Sequence, residues 1–157
     1  EPMDLHKAIN DMLFFFKKSF KENNIEVRKV FDTAVPEIYA VQDQLKQVIL
    51  NCLNNAQEAI NGSHGVITIT TEARGDHVML HIQDTGKGIK DEDLVNIFEP
   101  FFSTKPAVEG TGLGLSVSYG IMKRHQANIE VTETSEKGTI FTISLPINGP
   151  VDELETF

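Results

Sequence analysis

The stretch NCLNNAQEAI (51–60) brings Asn51, Asn55 and Glu58 onto one face of a helix, because residues three and four apart are neighbours there. Asparagine is a mediocre helix former, so amides clustered beside an apolar stripe suggest a task for them. Amide oxygens and a carboxylate suit a hard cation such as Mg²⁺, or its waters. A solvated helix face would give the same local pattern. A second constellation, QDTGKGI (83–89), runs from a strand into Asp84 and a Gly-x-Gly turn closed by Ile89. A carboxylate at a strand end can accept a hydrogen bond from an exocyclic amine, and Gly86 and Gly88 would let a flat ring such as adenine approach the backbone. An ordinary strand-to-helix turn also uses Asp-x-Gly. The third is GTGLGL (110–115), where Gly110, Gly112 and Gly114 alternate with Thr111, Leu113 and Leu115 before an apolar-periodic helix. Backbone N–H groups and a helix dipole at that point suit a phosphate chain. It is not a Walker loop, since no Gly-Lys-Ser/Thr follows, and no strand immediately precedes it as a dinucleotide fold requires. The preceding STKPAVEG is polar and contains proline, as a lid over a ligand would be.

The elements that must position these residues follow from periodicity. Leu5, Ile9, Met12, Leu13, Phe16 and Phe20 predict an amphipathic helix from Asp4, its N-cap, to about Asn23. The run Phe14, Phe15, Phe16 reads as core and packing surface. IEVRKVFD and, after Pro36, IYAV read as strands. Asp43 is placed to cap a long helix reaching Ile60, whose stripe of Leu45, Val48, Ile49, Cys52, Leu53, Ala56 and Ile60 marks it as the central buried helix. VITITTEA (66–73) and HVMLHIQD (77–84) predict an antiparallel hairpin joined at Arg74, Gly75 and Asp76. DEDLVNIF (91–98) predicts a short helix, 99–111 a loop, and 112–125 a helix built on Leu113, Val117 and Ile121. A last hairpin comes from ANIEVTET and GTIFTISLP. The expected class is α+β, a two-layer α/β sandwich.

The chain has 157 residues, enough for one domain with a real core, and its 40% hydrophobic and 24% charged content is that of a globular protein. A net charge of −9 argues against nucleic acid or anionic lipid as a partner, so an anionic ligand must be held by a local site. Part of that charge lies in the tail DELETF. The single Cys52 rules out an intramolecular disulfide framework and reads as a buried small hydrophobe. No apolar run approaches the ~20 residues of a bilayer span, so a cytoplasmic location is expected for this piece, whether or not the full-length protein is membrane-attached. The opening EPMDLHKAI lacks an initiator methionine, which reads as a fragment of a longer protein.

In this fixed order the segments resemble the ATP-binding catalytic domain of sensor histidine kinases, in the wider group that includes gyrase, the Hsp90 chaperones and the MutL proteins. NCLNNAQEA is similar to the N box, DTGKGI to the first glycine box, FEPFFSTK to the F box and GTGLGL to the second glycine box. The likeness covers about residue 24 to Pro146. It implies the Bergerat ATP-binding fold, a mixed, mostly antiparallel sheet backed by helices, divided as an N-terminal helix (1–23), the ATP-binding domain (24–147) and an acidic tail (148–157). It also implies ATP and Mg²⁺ as cofactors. By the resemblance, Asp84 binds the adenine amino group, Gly86, Gly88 and Ile89 shape the base pocket, and Asn55 coordinates Mg²⁺. Asn51 and Glu58 stand near the phosphates or the metal's waters, Phe101 and Phe102 pack the base of the lid, and Thr104 and Lys105 face phosphate. Gly110, Thr111, Gly112, Leu113, Gly114 and Leu115 line the phosphate loop.

Hydrolysing relatives carry a glutamate one turn before the metal-binding asparagine; here Asn51 stands there, and an amide cannot act as a general base. The resemblance therefore implies a kinase, with Asn51, Asn55 and Lys105 serving transfer of the γ-phosphoryl group to a histidine on a separate upstream dimerisation domain. A response regulator receiver domain would accept the group next. The fragment is expected to be monomeric and the full-length protein a homodimer. None of His6, His64, His77, His81 and His125 sits in a phosphoacceptor motif. A related ATPase or serine kinase, and a non-catalytic nucleotide-binding module, are the alternatives. Glu58 replaces a lysine common in the family, FFSTK is similar to the nitrogen-regulation sensor kinases, and RHQANI replaces a His-Gly-Gly turn, predicting a strained or remodelled turn there.

Overall fold

A computed structural model describes residues 1–61, 64–99 and 114–149. In chain order the elements are β1 (Pro2–Met3), α1 (Leu5–Glu22), β2 (Ile25–Phe31), β3 (Ile38–Tyr39), α2 (Gln42–Ile60), β4 (Gly65–Arg74), β5 (His77–Asp84), α3 (Asp91–Leu94), α4 (Gly114–Arg124), β6 (Asn128–Ser135) and β7 (Gly138–Pro146). Five strands form one sheet in the order β2-β4-β5-β7-β6. Among the described residues only β2 and β4 pair in parallel, and α2 supplies the crossover between them. The other pairs are antiparallel, so the sheet is mixed and mostly antiparallel, with helices on one face.

Alternation decides which side of the sheet is covered. Ile67 and Ile69 of β4, Val78, Leu80 and Ile82 of β5, and Phe141, Ile143 and Leu145 of β7 are buried. Their strand neighbours face away from the helices. Against this layer lies α2, burying the seven residues its stripe predicts, Leu45 through Ile60. Helix α1 adds Leu5, Ala8, Ile9, Phe16 and Phe20 to the same core. Asp4 caps it by accepting from the Lys7 N–H at 3.1 Å, as expected. Ser19 donates to Gln57 at 2.7 Å and ties α1 to α2.

Several local expectations are corrected. Phe16 is core, but Phe14 and Phe15 are 77% and 67% exposed, because consecutive helical residues lie about 100° apart and three cannot share one face. The N-cap of α2 is Val41, and Asp43 lies within the first turn instead. The IYAV strand shrinks to Ile38–Tyr39, paired with Pro2–Met3. Arg74 belongs to β4, opposite His77, leaving Gly75 and Asp76 as a two-residue connection with Gly75 at φ +63°. After Leu94 the expected short helix gives way to turns through Glu99, bonded Asn96 N–H to Asp93 O and Glu99 N–H to Asn96 O.

Helix α4 departs most usefully from its prediction. Val117 is exposed, and the buried face is Ser118, Ile121 and Met122, followed by His125 just past the helix end. Past it, Gln126 takes φ +54°, the left-handed conformation a glycine would hold more easily. The turn is strained, as expected of RHQANI.

Candidate functional site

The C-terminal half of α2, the DTGKGI turn after β5 and the first turns of α4 converge. Asp84 ends β5 and is only 2% exposed. Its Oδ1 accepts the Gly86 N–H at 2.8 Å, and the Thr139 N–H also supports the carboxylate. Burial nonetheless dominates and pushes its pKa up to about 6, with those two N–H groups offsetting part of the shift. Among the described residues no cation pairs with it. A buried carboxylate so placed gains from any neutral donor brought to it.

The turn behind Asp84 is clasped on two sides. The Lys87 N–H donates to Ala59 O at 3.1 Å, near the end of α2. A Cβ on Gly86 would lie 2.6 Å from the Ala59 carbonyl carbon. Gly88 has φ +78°, and a Cβ there would lie 1.9 Å from Ser135 O. The Ile89 N–H donates to Thr134 Oγ1 at 2.9 Å, and Thr134 shares a 2.8 Å hydrogen bond with buried Thr139. The side chain of Ile89 is partly buried against the core. From the other strand, Gly138 comes so close that a Cβ would lie 1.9 Å from Asp84 O.

On α2 the amides have different surroundings. Asn54 donates to Glu58 at 3.0 Å, so Glu58 is held by a neighbour on its own helix. Asn51 reaches across to α4: Nδ2 donates to Gly114 O at 2.9 Å and to Ser118 Oγ at 3.0 Å, while Oδ1 accepts from Gln47 at 2.9 Å. The half-buried Asn55 amide has no hydrogen-bond partner among the described residues. Its oxygen is a hard donor one turn along α2 from Asn51, which suits Mg²⁺ or a metal-bound water. Among the described residues no group of three or more His, Cys, Asp or Glu could hold a metal. Gly114 opens α4, and Leu115 is partly buried against the core. Phe101, Phe102, Thr104, Lys105, Gly110, Thr111, Gly112 and Leu113 lie outside the described residues.

Two residues were missed from sequence. Ser118, fully buried, donates to Gly114 O at 3.0 Å while accepting from Asn51. His125, buried at 5% exposure, donates from Nδ1 to Ile121 O at 2.9 Å and accepts at Nε2 from the Val41 N–H at 3.1 Å. It thereby satisfies an N–H at the start of α2 that the helix itself leaves free. The spacing Ser118, Ile121, Met122, His125 is helical, and would have pointed inward had the two polar residues been counted with the apolar ones.

Comparison with known proteins gives this geometry a family. Sensor histidine kinase ZraS of Escherichia coli (strain K12) is 40% identical over 148 residues, which span 94% of this chain and 31% of that protein. The chain thus covers about a third of the length of that curated relative. The solved catalytic domain of histidine kinase ThkA is 32% identical, with a TM-score of 0.85 over 94% of this chain and 95% of that one. ThkA in complex with response regulator protein TrrA is 29% identical, with a TM-score of 0.80 over 94% of this chain and 42% of that one. Residues 40–149 match the family described as histidine kinase-, DNA gyrase B-, and HSP90-like ATPase, and the chain belongs to it.

Proposed function

We propose that this chain binds ATP with Mg²⁺ and serves as the catalytic domain of a sensor histidine kinase. Buried Asp84 carries the reading: a carboxylate at a strand end, with no cation and only backbone N–H groups beside it among the described residues, is built to receive a neutral donor such as the adenine amino group. Guanine presents a carbonyl oxygen at the equivalent position and would be repelled. Gly86 and Gly88 hold the turn beside the base, with Ile89 as an apolar wall.

Asn55 is the residue that would hold the metal, which when bound would neutralise phosphate charge. Asn51 cannot take a proton from water, so hydrolysis by the glutamate-dependent route is disfavoured. Glu58, bonded to Asn54, is one turn from the metal position and belongs to its surroundings. Lys105, Thr104, Phe101 and Phe102 belong to the proposed site by resemblance, as do Gly110, Thr111, Gly112 and Leu113. The FFSTK stretch supports a place near the nitrogen-regulation sensor kinases. The phosphoryl acceptor would be a histidine of an upstream dimerisation domain in a homodimer, and a receiver domain would take the group onward, as the ThkA–TrrA complex supports. Among the described residues no helix is long and apolar enough to cross a membrane.

Calorimetric titration with ATP and GTP, each with and without Mg²⁺, tests the reading. Selective, metal-sensitive ATP binding is expected. Equal affinity for the two bases, or no binding to either, overturns it and leaves a scaffold that acts through protein contacts.

A further inference from the structure

Helix α4 is held to α2 by polar contacts at both ends. Gly114 and Ser118 meet Asn51 at one end, and His125 meets the Val41 N–H at the other. From 114 to 125 and from 51 to 41 the two helices advance by similar lengths, roughly 15 Å at 1.5 Å per residue, so they run antiparallel in step. The two ends differ in chemistry. At the His125 end every partner is backbone. At the Asn51 end both amide hydrogens are engaged, one by Gly114 O and one by Ser118 Oγ, and the Ser118 hydroxyl closes the triangle on Gly114 O. Asn51 keeps no spare N–H for a phosphate in this arrangement; only Oδ1 has acceptor capacity left beyond Gln47.

We propose that Ser118 is a positioning residue for the phosphate side of the nucleotide site, acting through Asn51 to fix the first turn of α4 against α2. This rests on the ATP-binding reading above. Ser118 is buried and touches no ligand in this scheme; it sets where Asn51 and Gly114 stand. Without it, one Asn51 N–H is released and Gly114 O loses one of its two side-chain donors. The first turn of α4 is then held less firmly against α2.

The test is a set of calorimetric titrations with MgATP and adenosine on the full chain carrying Ser118→Ala, Asn51→Ala, both, or His125→Asn, with thermal unfolding measured in parallel. Ser118→Ala is expected to weaken MgATP binding roughly 5-fold, the scale of one neutral hydrogen bond, with adenosine unchanged. Asn51→Ala should cost less in the Ser118→Ala background than alone, because the pair acts as a unit. His125→Asn should lower the melting temperature without separating the two ligands. Strictly additive losses, an unchanged MgATP affinity, or equal losses for both ligands in Ser118→Ala would overturn the assignment. If the wild type binds neither ligand, the ATP reading falls, and amide exchange decides the positioning role. Residues 115–118 should then exchange roughly 5-fold faster in Ser118→Ala and not in His125→Asn; equal protection in all variants refutes it.

Discussion

The glycines of the DTGKGI turn and Gly114 at the start of α4 have different physical surroundings. In the DTGKGI turn the fold itself forbids side chains: a Cβ on Gly86 would strike the Ala59 backbone, and one on Gly88 would overlap Ser135 O. At the start of α4, among the described residues a Cβ on Gly114 would meet nothing nearer than Asn51 Cγ at 3.7 Å, an ordinary contact. Sequence reading assigns both regions to a ligand. The structure shows that the first is required whether or not a base is ever bound. The glycine at 114 is unexplained by the described contacts, so its reason is the better candidate for a ligand.

The sharpest way to break this contrast is Gly88→Ala. With φ at +78° and a backbone oxygen 1.9 Å from the new carbon, it should cost more than ~3 kcal/mol or prevent folding. Denaturant unfolding showing a loss below ~1 kcal/mol would mean that the turn adapts and the fold does not demand glycine.

Asp84→Asn comes next, with opposite effects on binding and stability. Adenine recognition should fall on the order of 100-fold, far more than any change in guanine affinity. The folded carboxyl, at about 6, lies above its ordinary value of 3.8. Between those values the native state holds a proton that the unfolded chain has lost. Stability therefore falls as pH rises through that window, and the loss is complete above it. Removing the charge should stabilise the protein by up to ~3 kcal/mol at pH 7.5 and by little at pH 4, minus whatever the Thr139 or Gly86 bond loses. Unfolding curves for both proteins at both pH values check this. A variant no more stable relative to wild type at pH 7.5 than at pH 4 would refute the buried-charge account. Wild-type ATP affinity should also decline below about pH 6 as the acceptor is protonated.

Asn55→Ala should remove most of the Mg²⁺ dependence of ATP affinity while changing stability by less than ~1 kcal/mol, since the amide has no partner among the described residues. Titrations with and without the metal measure it, and an undiminished Mg²⁺ effect would exclude Asn55 as the ligand. The smallest effect on folding is expected from Gly114→Ala, neutral to ~1 kcal/mol stabilising because alanine is the better helix former. If ATP affinity is also untouched, the contrast between the two regions loses its functional half.

Much of this molecule was legible before any coordinates. Period 3.6 in α1 and α2 and period 2 in the strands come from side-chain chemistry repeated along the chain, so the seven buried positions of α2 and both antiparallel hairpins could be read directly. The placement of Asn51, Asn55 and Glu58 on α2 and of Asp84 at the end of β5 was also foreseeable, since the segments that carry them have clear helical and strand periodicity. Tertiary structure alone decided the parallel pairing of β2 with β4 and which partners the inward Ser118 and His125 meet on α2. It also decided that Asp84 is buried with no cation beside it among the described residues, and that Gly86 and Gly88 answer to Ala59 and Ser135. The reason is physical: periodicity encodes which face of an element shuns water, whereas the need for a missing Cβ, a buried hydroxyl or a shifted pKa is set by neighbours tens of residues away in the chain.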